Sequence, residues 1–450
     1  MNTSICFISL GCDKNLIDSE IMLGLIDSEG YVITDDDGQA DIIIINSCGF
    51  IMEANQEAID RVLDAAERKK EGTCKGIIVT GCMAQRYKEE IFESLPEVDA
   101  VVGTSEFVNI GSVIKRLTEG EKYFQLIGDK DKKLDEEVSY KRIITTLGGF
   151  GYLKIAEGCD SKCTYCTIPS LRGRYRSRQL ESLVKEATIM AEQGVSELIL
   201  IAQDTSLYGK DLYGEQRLHL LLRELSKIEG IKWLRILYCY PEHIYPELVE
   251  EMATNPKVLH YVDMPIQHSE DKILKLMGRK STRNELKEVI GGLREAMPDI
   301  CIRTTLIVGF PGETEEDFKG LCDFIDEIGF DRLGVFTYSR EEGTPAYKLP
   351  NQLDEEIKKQ RKDYIMELQK GISAEICESL VGTTQEVIVE GKLDGEENVY
   401  CGRSYRDCYE IDGYVFFESP NELIAGDYYK VKITSASDYD LIGELTGEDL

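Results

Sequence analysis

A chain of 450 residues with 42% apolar content can bury about three domain cores, which excludes a disordered or single-module protein. A formal net charge of −31 argues against phosphate tracking over most of the surface, because nucleic-acid affinity rests on Lys and Arg displacing counterions. The N-terminal residues form no basic leader and no apolar run approaches membrane-spanning length, so no signal peptide or membrane span is expected and the chain is read as cytoplasmic.

From residue 1 to 118 the runs "ICFISLG", "DIIIINS", "GIIVTG" and "AVVGT" alternate with helix-like segments. Near-continuous apolar strands between helices predict an open parallel α/β sheet. Cys12, Cys48 and Cys82 each fall just past the C-terminal end of one of the first three strands. Ligands of such sheets bind at that edge, so three thiols are expected to converge there; buried core thiols are the alternative.

The charged stretch 119–142, "EGEKYFQLIGDKDKKLDEEVSYKR", predicts a linker. From 143 to 372 six strand signals recur: "YLKIAEG", "ELILIAQD", "WLRILYCYP", "HYVDMPIQHS", "CIRTTLIVGFPGE" and "RLGVFTYS". They predict a partial (βα) barrel with functional loops at the strand C-termini, closed by the amphipathic helix "LDEEIKKQRKDYIMELQKGI". Residues 373–450 change to five short β-type pieces separated by Gly, Asp and Asn, which predict a small β-barrel. The fold class is therefore multidomain α/β with a C-terminal β module.

Immediately after the first barrel strand comes "EGCDSKCTYCTIP", which holds Cys159, Cys163 and Cys166. A structural zinc or a protein-held iron-sulfur cubane would take four ligands, so three cysteines leave one iron of a cubane open to another molecule. A zinc site completed by a distant His or Cys is the alternative. In "LIVGFPGETEEDF" the glycines Gly309 and Gly312, with Glu313, predict a turn whose backbone can approach a ligand closely; an ordinary strand-to-helix turn is the alternative. Arg172, Arg174, Arg176 and Arg178 crowd the segment after the cysteines and are read either as a solvated loop or as a group attracting a carboxylate. Cys6, Cys74, Cys239, Cys301, Cys322, Cys377, Cys401 and Cys408 lack ligand spacing and are expected to be buried thiols.

The C-x3-C-x2-C spacing, with Tyr165 before the third cysteine, resembles the radical S-adenosylmethionine superfamily. That resemblance implies a 4Fe-4S cluster on Cys159, Cys163 and Cys166, with S-adenosylmethionine on its open iron and contacts from Tyr165, Gly309, Gly312 and Glu313. It also implies a 5'-deoxyadenosyl radical formed by reductive cleavage. The whole chain is similar to the methylthiotransferase family: a three-cysteine N-terminal domain, a radical barrel and a C-terminal TRAM barrel. Membership would imply a second, auxiliary 4Fe-4S cluster on Cys12, Cys48 and Cys82, and conversion of C–H to C–SCH3.

"GCDKNLIDSE", "AQDTSLYG", "DMPIQHSEDKILKLMGR" and "GRSYRDCYEIDG" resemble the RimO branch, with Asp13 standing where that branch usually has proline. The branch implies the β-carbon of an aspartate in ribosomal small-subunit protein S twelve as target, with an unidentified low-potential electron donor. Residues 373–450 hold five Lys and Arg against eighteen Asp and Glu, a net of −13, which suits a basic protein partner better than tRNA. The competing readings are a tRNA adenosine-37 methylthiotransferase and a non-catalytic iron-sulfur or zinc protein.

Overall fold

The protein is described by a computed structural model over residues 3–133 and 136–447; residues 1–2 of the expected N-terminal domain, 134–135 of the expected linker and 448–450 of the expected C-terminal domain lie outside it. Three bodies follow one another along the chain. Among the described residues no helix is long and apolar enough to cross a membrane.

The first body is a parallel sheet of six strands: β1 (Ser4–Ser9), β2 (Val32–Thr34), β3 (Ile42–Ser47), β4 (Gly76–Gly81), β5 (Ala100–Val102) and β6 (Phe124–Leu126). Its order is β2-β1-β3-β4-β5-β6, so β1, β3 and β4 are central neighbours. The isoleucine runs of β3 and β4 are buried throughout, as a parallel sheet covered on both faces demands. Helices α1 (Asp13–Ser28), α2 (Met52–Glu71) and α3 (Cys82–Tyr87) start within a few residues of β1, β3 and β4 respectively. The expected linker 119–142 is corrected here: β6 pairs in parallel with β5 and extends the sheet beyond residue 118. Its three residues are too short for a periodic signal, as are those of β2 at the other edge.

The second body carries β7 (Phe150–Lys154), the short antiparallel pair β8 (Ala156–Glu157) and β9 (Arg176–Ser177), then β10 (Glu197–Ile201), β11 (Trp233–Ile236), β12 (Val258–Asp263), β13 (Cys301–Val308) and β14 (Arg332–Thr337). The six long strands form a parallel sheet in the order β7-β10-β11-β12-β13-β14, with β7 and β14 at its edges. This is the expected partial barrel, and each strand read from the sequence is present. β15 (Thr384–Lys392), β16 (Val399–Arg403), β17 (Val415–Glu418), β18 (Tyr428–Ala436) and β19 (Leu441–Leu445) close into the third body, a five-stranded barrel.

The boundary expected at 372/373 falls inside one helix, Glu355–Ser379. That helix serves two cores: Gln369 donates to the Phe330 carbonyl at 2.8 Å, while Cys377 packs in the core of the small barrel. The loop between β16 and β17 reaches the starts of the partial-barrel strands. Tyr409 packs on Phe150 at 4.3 Å between ring centroids, the Tyr405 carbonyl accepts from Arg235 at 2.8 Å, and the Arg406 carbonyl accepts from the Cys301 thiol at 3.3 Å. Fully buried Glu197 joins the two bodies, accepting from Arg235 at 2.7 Å and Arg403 at 2.8 Å. Thus "GRSYRDCYEIDG" packs over the N-terminal end of the partial barrel, leaving the C-terminal end for chemistry.

Candidate active site

Cys12 caps the start of α1, Cys48 lies in the loop from β3 to α2, and Cys82 is the first residue of α3. Parallel pairing of β1, β3 and β4 therefore brings all three to one sheet edge. The approach is close: a Cβ on Gly11 would stand 2.8 Å from Cys48 Cβ, and one on Gly49 would stand 2.7 Å from the Met83 nitrogen. Both Gly11 and Gly81 have φ near +90°, a conformation that a side chain resists. Cys12 is exposed, Cys48 half-buried and Cys82 buried.

Cys82 Sγ lies 3.7 Å from Asn15 Oδ1, which also accepts from the Arg172 guanidinium. Arg172 comes from the other cysteine loop and is fully enclosed by Asp18 at 2.6 Å and Glu157 at 3.2 Å. Lys154 completes the buried network, 2.9 Å from Glu157 and bonded to Asp18. Burial pushes the Cys82 thiol up to about 11 against the opposing charge of Arg172. Burial also raises Cys48. Metal loading here must therefore drive off protons.

Of the four arginines expected near the second cysteine set, Arg172 is taken up by this network and Arg178 by Glu186 at 2.6 Å. Arg176 reaches Asp131 at 3.5 Å, and Arg174 is exposed. Attraction of an external carboxylate is thus corrected for Arg172 and Arg178, whose carboxylates are internal.

The hairpin β8-β9 brackets the loop that holds Cys159, Cys163 and Cys166. Gly158, at φ +78°, has no room for a side chain, since a Cβ would meet the Arg174 carbonyl oxygen at 2.0 Å. Thr164 N–H and Oγ1–H donate to the carbonyls of Met277 and Leu276 at 2.8 and 2.7 Å, and the Thr164 carbonyl accepts from Ala346 N–H at 2.8 Å. The loop is clamped from two sides. The N–H groups of Ser161 and Ile168 point at Cys159 Sγ and Cys166 Sγ, each at 3.4 Å, an arrangement that suits thiolates. Burial raises the Cys159 thiol and pushes Cys166 up to about 12.

Among the described residues no three His, Cys, Asp or Glu side chains surround a single ion. A cubane asks for something different, because each thiolate takes its own iron. Two sets of three thiols, cradled by glycines that a Cβ would displace and supplied with N–H donors at the second set, fit that donor chemistry.

Tyr165 packs edge-on against Phe310 at 6.3 Å. Glu313 is 4% exposed and accepts from the N–H of Gly309 at 2.8 Å and Phe310 at 3.2 Å, and from Arg361 at 2.6 Å. Both its oxygens accept bonds from this chain, so Glu313 shapes the turn. The need for glycine at 309 is internal too: a Cβ would meet Lys358 Cγ at 2.3 Å. Gly312, at φ +86°, has only Leu276 Cδ1 at 3.7 Å beside its would-be Cβ.

What the sequence reading passed over is the loop after β11. Tyr240 Oη lies 3.9 Å from Cys163 Sγ, and buried Arg279 stacks on the Tyr240 ring at 4.1 Å. Two residues earlier Tyr238 donates to Asp13 Oδ1 at 3.3 Å, beside Cys12. Tyr238 has φ +61°, rare for a bulky residue, and its N–H is fixed by Asp263 at 3.0 Å. Asp263 in turn accepts from Arg303 at 2.7 Å. One short loop thus touches Cys163 of one set and the chain neighbour of Cys12 in the other. Its two tyrosines at the C-terminal end of a barrel strand were the available signal.

Residues 4–103 match the family model described as "Uncharacterized protein family UPF0004", residues 153–325 the Radical SAM superfamily and residues 381–446 the TRAM domain. A relative from Lachnoclostridium phytofermentans named "Ribosomal protein uS12 methylthiotransferase RimO" is 51% identical over 98% of this chain and 99% of its own. One of the same name from Geobacter sulfurreducens is 48% identical over 98% of each. Among solved structures, the radical S-adenosylmethionine methyltransferase TsrM from Kitasatospora setae, with cobalamin and a [4Fe-4S] cluster bound, superposes with a TM-score of 0.56. That match covers 86% of this chain and 77% of TsrM at 14% identity, a likeness of fold.

Proposed function

We propose, from the premise that this chain belongs to the RimO family of radical S-adenosylmethionine methylthiotransferases, that it replaces a β-carbon hydrogen of an aspartate in ribosomal protein uS12 with a methylthio group. The observation that carries the proposal is the loop after β11, whose Tyr238 and Tyr240 touch the surroundings of two separate three-thiol sets. A carbon radical made at one set can meet a sulfur donor at the other only if the two face a common space.

Cys159, Cys163 and Cys166 hold one 4Fe-4S cluster in this reading, and Cys12, Cys48 and Cys82 hold the other. When bound, the first cluster with S-adenosylmethionine supplies hydrogen abstraction, the second presents sulfur, and S-adenosylmethionine also supplies the methyl group. The chain's own residues prepare the ground for this. Ser161 and Ile168 donate N–H groups to thiolate sulfur, stabilising its charge. Arg172 sets a fixed positive charge beside Cys82 through Asn15. Tyr165, Tyr240 and Arg279 pack around Cys163 and keep water from that side. Tyr165 and Gly312 remain our assignment for contact with S-adenosylmethionine, with Gly309 and Glu313 holding the turn.

A basic ribosomal protein suits the charge of the third body. Two of its five basic residues, Arg403 and Arg406, are buried in internal ion pairs, and so are Asp407 and Asp412, which leaves the excess of acid on its surface. The reading is tested by counting iron. The wild type should bind about eight irons and each Cys→Ala variant in either set about half of that; full iron retention in a variant would remove that cysteine from the ligand set.

A further inference from the structure

The cations near the junction of the two cysteine sets differ in how firmly they are engaged. Arg303 is held by Asp263 at 2.7 Å and Asp412 at 3.4 Å, and Arg172 by Asp18 and Glu157. Arg279 faces Glu242 at 3.6 Å and donates to the Pro265 carbonyl at 3.2 Å. Lys14 has one carboxylate, that of its own chain neighbour Asp13, at 3.2 Å. Its ammonium lies on the Tyr238 ring, 2.9 Å from the centroid, two residues from Cys12.

Asp13 Oδ1 accepts from Lys14 Nζ, from Lys14 N–H at 3.0 Å and from the Tyr238 hydroxyl at 3.3 Å. Its other oxygen, Oδ2, is buried without a hydrogen-bond partner, in a side chain only 7% exposed. A carboxylate held by an ammonium and a phenol, with one oxygen unsatisfied, is an incompletely built internal pair. It sits next to Cys12 in sequence and against a tyrosine held in a strained conformation.

We infer that Lys14 and Tyr238 form the subsite for the carboxylate of the target aspartate, and that Asp13 occupies that subsite until the substrate side chain displaces it. This rests on the uS12 reading above and names the residues that would recognise its side chain. An incoming carboxylate gains the charge-assisted bond from Lys14 and the phenol bond from Tyr238. Asp13 then turns its carboxylate toward water, which its position in the first turn of α1 allows. Proline in place of Asp13 fits that helical position and leaves Lys14 without an internal partner.

The experiment uses the iron-loaded enzyme with uS12 and with uS12 whose modified aspartate is replaced by asparagine, reading equilibrium affinity for both and fragment masses for the first. The wild type should favour the aspartate form by about 10- to 100-fold, and Lys14→Met should shrink that preference to about two- to threefold, with Lys14→Arg restoring part of it. Asp13→Pro should tighten binding of the aspartate form several-fold, about the effect of removing a weak internal competitor. A Lys14→Met enzyme with full iron content and an undiminished preference overturns the inference. Should Lys14→Met fail to fold, the Asp13→Pro arm decides: tighter binding supports the subsite, and unchanged or weaker binding overturns it. If the wild type binds uS12 with no preference but methylthiolates it, the carboxylate subsite falls alone. If it leaves uS12 unmodified, the substrate reading falls and takes the inference with it.

Discussion

Arg172 and Asp18 tie the two cysteine sets together more directly than any cysteine does. The pair stands 154 residues apart in sequence and 2.6 Å apart in space, buried at both ends. Removing one partner of such a pair leaves an uncompensated buried charge, at a cost of about 3–5 kcal/mol. Asp18→Asn should therefore lower the urea midpoint of unfolding and loosen the first body from the second, detectable as earlier proteolysis between residues 126 and 150; an unchanged midpoint would mean that solvent reaches the network. The placement of the six cysteines just past strand ends was legible from the sequence. The partners of Arg172 were not, because ion pairing over such a separation leaves no local pattern, and four arginines in eight residues looked alike on the page.

Loops at strand ends carry both thiol sets, and those of Cys12, Cys82 and Cys159 each follow a glycine in a conformation other residues avoid. At Gly158 the constraint is double: φ is +78° and a Cβ would stand 2.0 Å from the Arg174 carbonyl oxygen. Gly158→Ala should cost about 1–3 kcal/mol and displace Cys159, so iron loading should fall to that of a single-cluster protein while the other trio still loads. Loading at the wild-type level would show that the loop yields elsewhere. The alternation of apolar segments with polar ones revealed every long strand of the three bodies. It missed β2 and β6, three-residue edges whose pairing is decided by the neighbouring strand rather than by their own composition. Nor does periodicity show that Gly309 packs against Lys358 and that Glu313 pairs with Arg361.

Charge organises the molecule at the largest scale. Inside, carboxylates and guanidinium groups are matched across the body boundaries; outside, acid predominates. Burial alone would raise the Glu197 carboxyl, but Arg403 and Arg235 hold it below the ordinary carboxylate range. A carboxyl lowered on folding contributes stability that is fully present above its unfolded value, about 4.3, and is lost as pH falls through the folded value. Acidification below about pH 4 should thus weaken the grip of the C-terminal barrel. Glu197→Gln, which leaves two buried guanidinium groups short of a partner, should destabilise the protein at neutral pH by about 3–5 kcal/mol and flatten this acid limb in a melting series. A variant that melts like the wild type at both pH values would mean that the other contacts of the 402–413 loop suffice.

The account as a whole turns on whether two thiol sets facing one tyrosine loop perform sulfur insertion on a basic protein. The direct measurement is an anaerobic reaction of the reconstituted, reduced enzyme with S-adenosylmethionine and uS12, read by intact and fragment mass spectrometry. The account predicts a gain equal to replacement of H by SCH3, located on one aspartate. An unmodified uS12 alongside methylthiolated tRNA, or no deoxyadenosine from a demonstrably iron-loaded and reduced sample, would contradict it.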